Sequence, residues 1–160
     1  SLGRVGSGVI DLCEKMNIGI TKWDIKETTA KKNFSEILNH DLFFNCVVSN
    51  KETPTFISEE TIQNGQKLSI IGDIACDPGS MNNPVAVYND VTTWSEPVTR
   101  VSENPILDVM AIDNLPSLLP LESSIDFASQ LLPSLMEIDK INESVWLRAY
   151  QTYLDNMELI

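Results

Sequence analysis

A chain of 160 residues, 42% of them hydrophobic, can bury a real core, and one ordered domain is the natural expectation. A formal net charge of −12 argues against nucleic acid, since phosphate backbones want clustered Lys and Arg. No apolar run approaches a bilayer span, and no basic-then-apolar leader pattern is present, so no membrane association is expected.

Three glycines, Gly3, Gly6 and Gly8, fall within six positions, followed at helical spacing by Val9, Ile10, Leu12, Cys13 and Met16. A helix is expected from Gly6 to Met16, behind a turn shaped to hold a phosphate. Glycines let backbone approach a pyrophosphate, and the first helical N–H groups point at it. The alternative is an ordinary turn before a helix. Residues 19–23 are expected to form a strand, ending at Asp24 about sixteen residues after Gly8. In a dinucleotide-binding βαβ unit an acid at that place holds the adenosine ribose, and its charge favours NAD over NADP. The plainer alternative for Asp24 is a cap on the following turn. The strand that should precede the glycines is missing, because only Ser1 and Leu2 stand there. In a doubly wound sheet that strand is central, so the chain is expected to be part of something longer.

Further on, residues 26–32 are polar, and a short helix is expected over Phe34–Leu38, capped by Asn33 or Ser35. Residues 41–48 form an apolar run with the character of a strand buried on both faces. A short helix is expected from Ser58, closed by a left-handed cap at Asn64-Gly65. Residues 67–74 are the next strand, again ending in acid, and Asp77 to Pro84 is turn-rich. Residues 85–88 and 91–94 read as small extended pieces, and Asp108 to Asp113 as a further strand. A long helix is expected from about Leu121 to Met136, kinked or divided at Pro133, and a last one over Glu143–Met157.

Strands ending in Asp24, Asn45-Cys46, Asp73 and Asp113-Asn114, alternating with helices, predict an α/β Rossmann-like doubly wound parallel sheet that lacks its first strand. The polar ends would then line one sheet edge beside the glycine turn. Cys13, Cys46 and Cys76 are irregularly spaced, with no CxxC pair, which suggests free thiols in a reducing compartment such as the cytoplasm. The single His40 has no spaced partner ligand, so no metal site is expected.

The stretch Ile112-Asp113-Asn114-Leu115-Pro116-Ser117-Leu118-Leu119-Pro120-Leu121-Glu122-Ser123-Ser124 closely resembles the I-D-H-L-P-S-L-L-P-R-E-[AS]-S segment of the fungal-type saccharopine dehydrogenases that form L-lysine. The likeness continues through residues 3–8, 22–28, 44–46 and 72–77, the ending Leu131-Leu132-Pro133-Ser134-Leu135, and Val145-Trp146-Leu147-Arg148-Ala149. It covers the cofactor-binding half of a two-domain enzyme of the alanine dehydrogenase and transhydrogenase kind. The division implied is an NAD-binding domain over residues 1–140 and a C-terminal helix over 141–160 that packs on an N-terminal substrate domain.

The resemblance implies NAD-dependent oxidation of saccharopine to L-lysine and 2-oxoglutarate, the last step of lysine biosynthesis by the aminoadipate route. By similarity Gly3, Arg4, Val5 and Gly6 would contact the pyrophosphate, and Asp24 with Ile25 the adenosine ribose. Thr28 also belongs to the implied cofactor contacts. Cys46 and Val47, with Asp73, Ile74 and Ala75, would flank the ribose and adenine, and Ile112, Asp113 and Leu115 would border the nicotinamide. The family's Lys/His acid–base pair lies in the other domain, so no catalytic residue is assigned here. Asn114 replaces the family's His, Leu121 its Arg, Val48 a common aromatic and Ala75 a Ser. Those departures keep two alternatives open. One is a saccharopine-forming lysine–ketoglutarate reductase or another opine- or alanine-type dehydrogenase. The other is a non-catalytic dinucleotide-binding remnant.

Overall fold

The computed structural model describes residues 2–31, 33–62 and 66–157. They fall into two compact units, Ser1–Asp113 and Asn114–Ile160. The cap expected at Asn64-Gly65 lies outside the described residues.

The first unit opens with α1 (Arg4–Lys15). Gly6, Val9, Ile10 and Cys13 recur at three- and four-residue spacing and form its covered face, while Val5, Leu12 and Met16 stay exposed. The helix stops where Asn17 turns left-handed (φ 54°). The Asn17 and Ile18 N–H groups then bond back to the carbonyls of Glu14 and Cys13, satisfying two terminal acceptors.

A second, unexpected helix, α2 (Ile25–Ala30), follows in the polar stretch. Its cause is local: Asp24 and Glu27 form a reciprocal capping box, which the sequence reading of this stretch as merely polar passed over. The short helix expected next is a 3-10 turn, Ser35–Asn39, and Asn33 Oδ1 does accept the Ser35 N–H at 2.7 Å.

The main sheet has four strands in the order β1 (Leu42–Asn45), β3 (Ile70–Asp73), β6 (Ile106–Met110), β5 (Thr99–Glu103). The first three are parallel in register, with Asn45 opposite Asp73 and Gly72 opposite Met110, so their C-terminal ends share one edge. β5 pairs antiparallel with β6 as a hairpin. It was not foreseen, since residues 99–103 carry few apolar side chains and lie at the sheet margin. A two-stranded parallel pair, β2 (Ile57–Ser58) with β4 (Val85–Ala86), sits in the crossovers.

Two expectations are corrected here. Residues 19–23 form no strand, because a strand needs a ladder partner and none pairs with them among the described residues. The helix expected from Ser58 is a single turn closed by the Thr61 N–H on the Ser58 carbonyl (3.0 Å). Ile57 and Ser58 are instead taken up as β2, paired with Val85 and Ala86, so a helix cannot begin at Ser58 itself.

The core lies under the central strands, where Ile71, Leu107 and Val109 meet Leu68, Ile57 and Val85, all at 1% exposure or less. Phe34, Phe56 and Phe43 close one end in edge-to-face contacts with centroids 5.0 and 6.3 Å apart. The parallel sheet with helices is the α/β, Rossmann-like class expected from the sequence.

The second unit holds a 3-10 turn (Leu115–Leu118), α3 (Pro120–Leu135) and α4 (Ser144–Met157). Asn114 enters it left-handed at φ 57°, a conformation Asn tolerates better than most residues. Pro133 does not divide α3: it falls in the last turn, so one backbone bond is lost and the helix ends two residues later. Trp146 Nε1–H donates to the Ser134 carbonyl at 2.8 Å and ties α4 to the end of α3. The boundary expected at residue 140 falls inside this unit.

A Cβ on Gly72 would lie 2.6 Å from Phe44 Cδ1, below any real carbon contact. Gly72→Ala should therefore cost about 1–3 kcal/mol by overpacking. Combining it with Phe44→Leu should recover part of that loss in urea unfolding, because only the ring edge is in the way.

Candidate functional site at the C-terminal sheet edge

One groove of about 170 Å³ in the first unit is lined by four of the implied residues. Gly6 of α1 and Thr28 of α2 line it together with Cys46 and Val47, which follow β1. Gly3 is the N-cap of α1 in extended backbone, and it carries no side chain that could occupy the helix end. The first-turn N–H groups of Val5 and Gly6 precede any intrahelical acceptor, and so face outward from the helix N-terminus. Arg4 and Val5 are exposed beside them, while Gly6 is buried against the groove wall.

Asp24 is half-buried at the start of α2, where it forms the cap that the plainer reading expected. Its N–H donates to Glu27 Oε2 at 2.8 Å, and its carboxylate accepts the Glu27 N–H. A carboxylate has about four acceptor positions, so one capping bond leaves capacity for a ribose hydroxyl. Thr28 Oγ1–H donates to the Asp24 carbonyl at 3.1 Å, which pins the two residues to one turn. Ile25 stands exposed between them.

The strand ends differ in character. Asp73 has no exposed surface, and its carboxylate turns inward. Asn45 Nδ2 donates to Asp73 Oδ1 at 2.8 Å, and the Tyr88 hydroxyl donates to Oδ2 at 2.8 Å. The Ala75 N–H bonds the same carboxylate. Asn45 Oδ1 in turn accepts the Val47 N–H at 3.3 Å, and the Ile74 N–H donates to the Asn45 carbonyl at 3.0 Å. So the turns carrying Cys46-Val47 and Ile74-Ala75 are linked through buried side chains. Asp73 takes part as their scaffold, with its carboxylate committed inside. Sequence reading missed Tyr88, whose only signal was an aromatic residue in an irregular stretch.

Burial pushes the Asp73 carboxyl above its ordinary range, against the opposing pull of the Tyr88, Asn45 and Ala75 donors. The Tyr88 hydroxyl is pushed far up, first by burial and then by its bond to Asp73, so it remains a donor. Burial, with Asp73 nearby, also pushes up the Cys46 and Cys76 thiols. Neutral thiols are poor nucleophiles and poor metal ligands. Cys13, Cys46 and Cys76 are all free.

Of the remaining implied residues, Ile112 is buried and pairs by a parallel bridge with Thr92, and Asp113 is exposed directly after it. Leu115 begins the 3-10 turn of the second unit. His40 lines the far part of the groove as a loop residue. Among the described residues no group of three His, Cys, Asp or Glu side chains could hold a metal ion, and no helix is long and apolar enough to cross a membrane.

Residues 3–156 match the family described as alanine dehydrogenase/PNT, C-terminal domain, and the chain belongs to that family. It is 43% identical over 160 residues to the NAD(+), L-lysine-forming saccharopine dehydrogenase of Candida albicans, covering 96% of this chain and 42% of that protein. Identity to the enzyme of the same name from Schizosaccharomyces pombe is 40% over 161 residues, covering 96% and 44%. An alanine dehydrogenase of Lysinibacillus sphaericus is 32% identical over 108 residues, covering 66% and 27%. The likeness to saccharopine dehydrogenases read from the motifs is thus borne out. The chain spans less than half the length of these curated relatives.

A folded-state pKa raised above the unfolded one means that the native state holds the extra proton. Stability from Asp73 is therefore greatest in acid and falls as pH rises from the ordinary Asp range through the raised value. Asp73→Asn should flatten that slope in urea unfolding measured across acidic pH. An unchanged slope would assign the titration to another group.

Proposed function

We propose that this chain is the NAD-binding part of a saccharopine dehydrogenase that oxidises saccharopine to L-lysine and 2-oxoglutarate. One observation carries the reading: Gly6 of the glycine-capped helix start, Thr28 of α2 and the C-terminal end of β1 with Cys46-Val47 meet on a single groove. Open α/β sheets bind ligands at that edge. The names of the curated relatives supply the substrate and the cofactor.

The residues fit a dinucleotide. Gly3 and Gly6 leave backbone bare at the start of α1, so the Val5 and Gly6 N–H groups and the Arg4 guanidinium would hold the pyrophosphate. Asp24 would accept from the adenosine ribose, with Ile25 and Thr28 beside it. Cys46, Val47, Asp73, Ile74 and Ala75 would wall the ribose and adenine, and Ile112, Asp113 and Leu115 would border the nicotinamide. When bound, NAD supplies a hydride acceptor. The side chains of this chain bind, orient and exclude water.

Oxidising a secondary amine also needs a proton acceptor near neutral pKa, because the amine must lose its proton before hydride leaves. The one imidazole lining the groove, His40, stands in the loop before β1 and matches neither position of the family's Lys/His pair. Asp73 is sealed inside, and Cys46 is held as a thiol. We therefore place the acid–base pair in a substrate domain elsewhere in the protein, with residues 1–140 as the cofactor domain and 141–160 packing on its neighbour. Exposed Tyr150, Tyr153, Leu154 and Met157 on α4 support that packing. Three free thiols support a reducing, cytoplasmic setting.

The direct test is NADH formation by the intact protein from NAD and saccharopine, with alanine as the competing substrate. Turnover of alanine alone would overturn the substrate assignment. Asp24→Ala should weaken NAD by about tenfold, the loss of a charged hydrogen bond, and raise the NADP:NAD affinity ratio. An unchanged ratio would remove Asp24 from the ribose. Gly6→Val should impair cofactor binding in a folded protein, since a branched side chain would stand where backbone must approach. Unaltered affinity would sink that contact.

A further inference from the structure

We infer that Tyr88 and Asn45 are positioning residues for the cofactor: through the buried Asp73 carboxylate they fix the shape of the two turns, 45–47 and 73–75, that flank the nucleotide. The inference rests on the dinucleotide reading above and concerns residues to which that reading assigns no role.

Four buried polar side chains, Asn83, Tyr88, Asp73 and Asn45, form one chain of hydrogen bonds. Two of its members end on backbone amides of the candidate site. Asn45 Oδ1 takes the Val47 N–H, and the Asp73 carboxylate takes the Ala75 N–H. One backbone bond, from the Ile74 N–H to the Asn45 carbonyl at 3.0 Å, still joins the chains where β1 and β3 end. Beyond it the Val47 and Ala75 amides are held by side chains. Those side chains are held in place by Tyr88, which reaches Asp73 from the crossover after β4. Asn83 anchors that crossover in turn, its Oδ1 accepting the Val85 N–H at 2.9 Å.

A network serving packing alone would normally be replaceable by apolar side chains at little cost. Here the donors that terminate it belong to the ligand-facing turns, so slack in the network becomes displacement of the groove wall. Binding sites lose affinity when supporting residues let the contacting atoms drift by about 1 Å.

Tyr88→Phe retains the ring and removes one donor. Three quantities are to be measured in the intact protein: NAD affinity, amide exchange at Val47 and Ala75, and the melting temperature. The expected result is a folded variant with the NAD dissociation constant raised about five- to tenfold, the order of one ordinary hydrogen bond. Exchange at Val47 and Ala75 should be faster than in the unsubstituted protein. Asn45→Ser, which removes the link from β1, should do the same, and it replaces Tyr88→Phe if that variant shows no melting transition. Lower melting temperatures with unchanged NAD affinity would make the network purely structural and overturn the inference. Weaker affinity with unchanged exchange at both amides would overturn it too, since the effect would then act elsewhere. If the unsubstituted protein binds no NAD, the dinucleotide reading falls as well. If it binds and the variants bind equally, only this inference falls.

Discussion

Parallel pairing of β1, β3 and β6 is the constraint on which the rest of the structure depends. Parallel strands must each be re-entered from the same end, so the chain makes a long crossover every time and all the C-terminal ends fall on one edge. In this protein those ends carry polar residues, Asn45 and Asp73, inside an otherwise apolar sheet. The edge thus becomes both the weakest-paired part of the core and the place where ladder bonds give way to turns. Buried polar groups there have to be satisfied without regular secondary structure. The Asn45–Asp73–Tyr88 arrangement does this with two 2.8 Å hydrogen bonds onto the Asp73 carboxylate. Among the described residues no buried side-chain N or O atom is left without a partner.

Asp24 shows how one residue can serve fold and site together. As an N-cap it satisfies an amide at the start of α2, and capping of this kind contributes about 0.5–2 kcal/mol. Thr28, which lines the groove, is tied to the same residue through its backbone carbonyl. A neutral cap such as Ser would hold the helix equally well, so the fold alone gives no reason for a charge. The charge acquires a purpose if a 2′-phosphate has to be repelled, and like charges at contact distance cost more than one hydrogen bond returns.

Much of the fold was legible because its signals are local. Apolar runs at residues 41–48 and 67–74 become β1 and β3, and the spacing of Val9, Ile10 and Cys13 becomes the covered face of α1. What could not be read depends on partners distant in sequence. Residues 19–23 have strand composition but no ladder neighbour, and β5 has weak composition but a neighbour in β6. The glycine turn, Asp24 and the strand-end residues were visible as a pattern, and Gly6, Thr28, Cys46 and Val47 indeed share a groove. Tyr88 was invisible. Its role is fixed by one hydrogen bond across fifteen residues of irregular chain, and neither spacing nor periodicity encodes that.

A chain of net charge −12 is an odd host for an anionic dinucleotide, and the resolution is one of distance. At physiological ionic strength charges more than about 8 Å away in solvent are largely screened, so the overall charge matters little to a bound phosphate. What counts is the immediate wall of the site. There Asp73 is turned inward against three donors, and the neighbouring Cys46 is a neutral thiol. The start of α1 adds a helix dipole worth about 0.3–1 kcal/mol to an adjacent anion, and Arg4 stands on that first turn. Under the proposed reading Asp24 would meet a neutral ribose and not a phosphate. Local arrangement of charge, rather than its total, would then decide which dinucleotide is accepted.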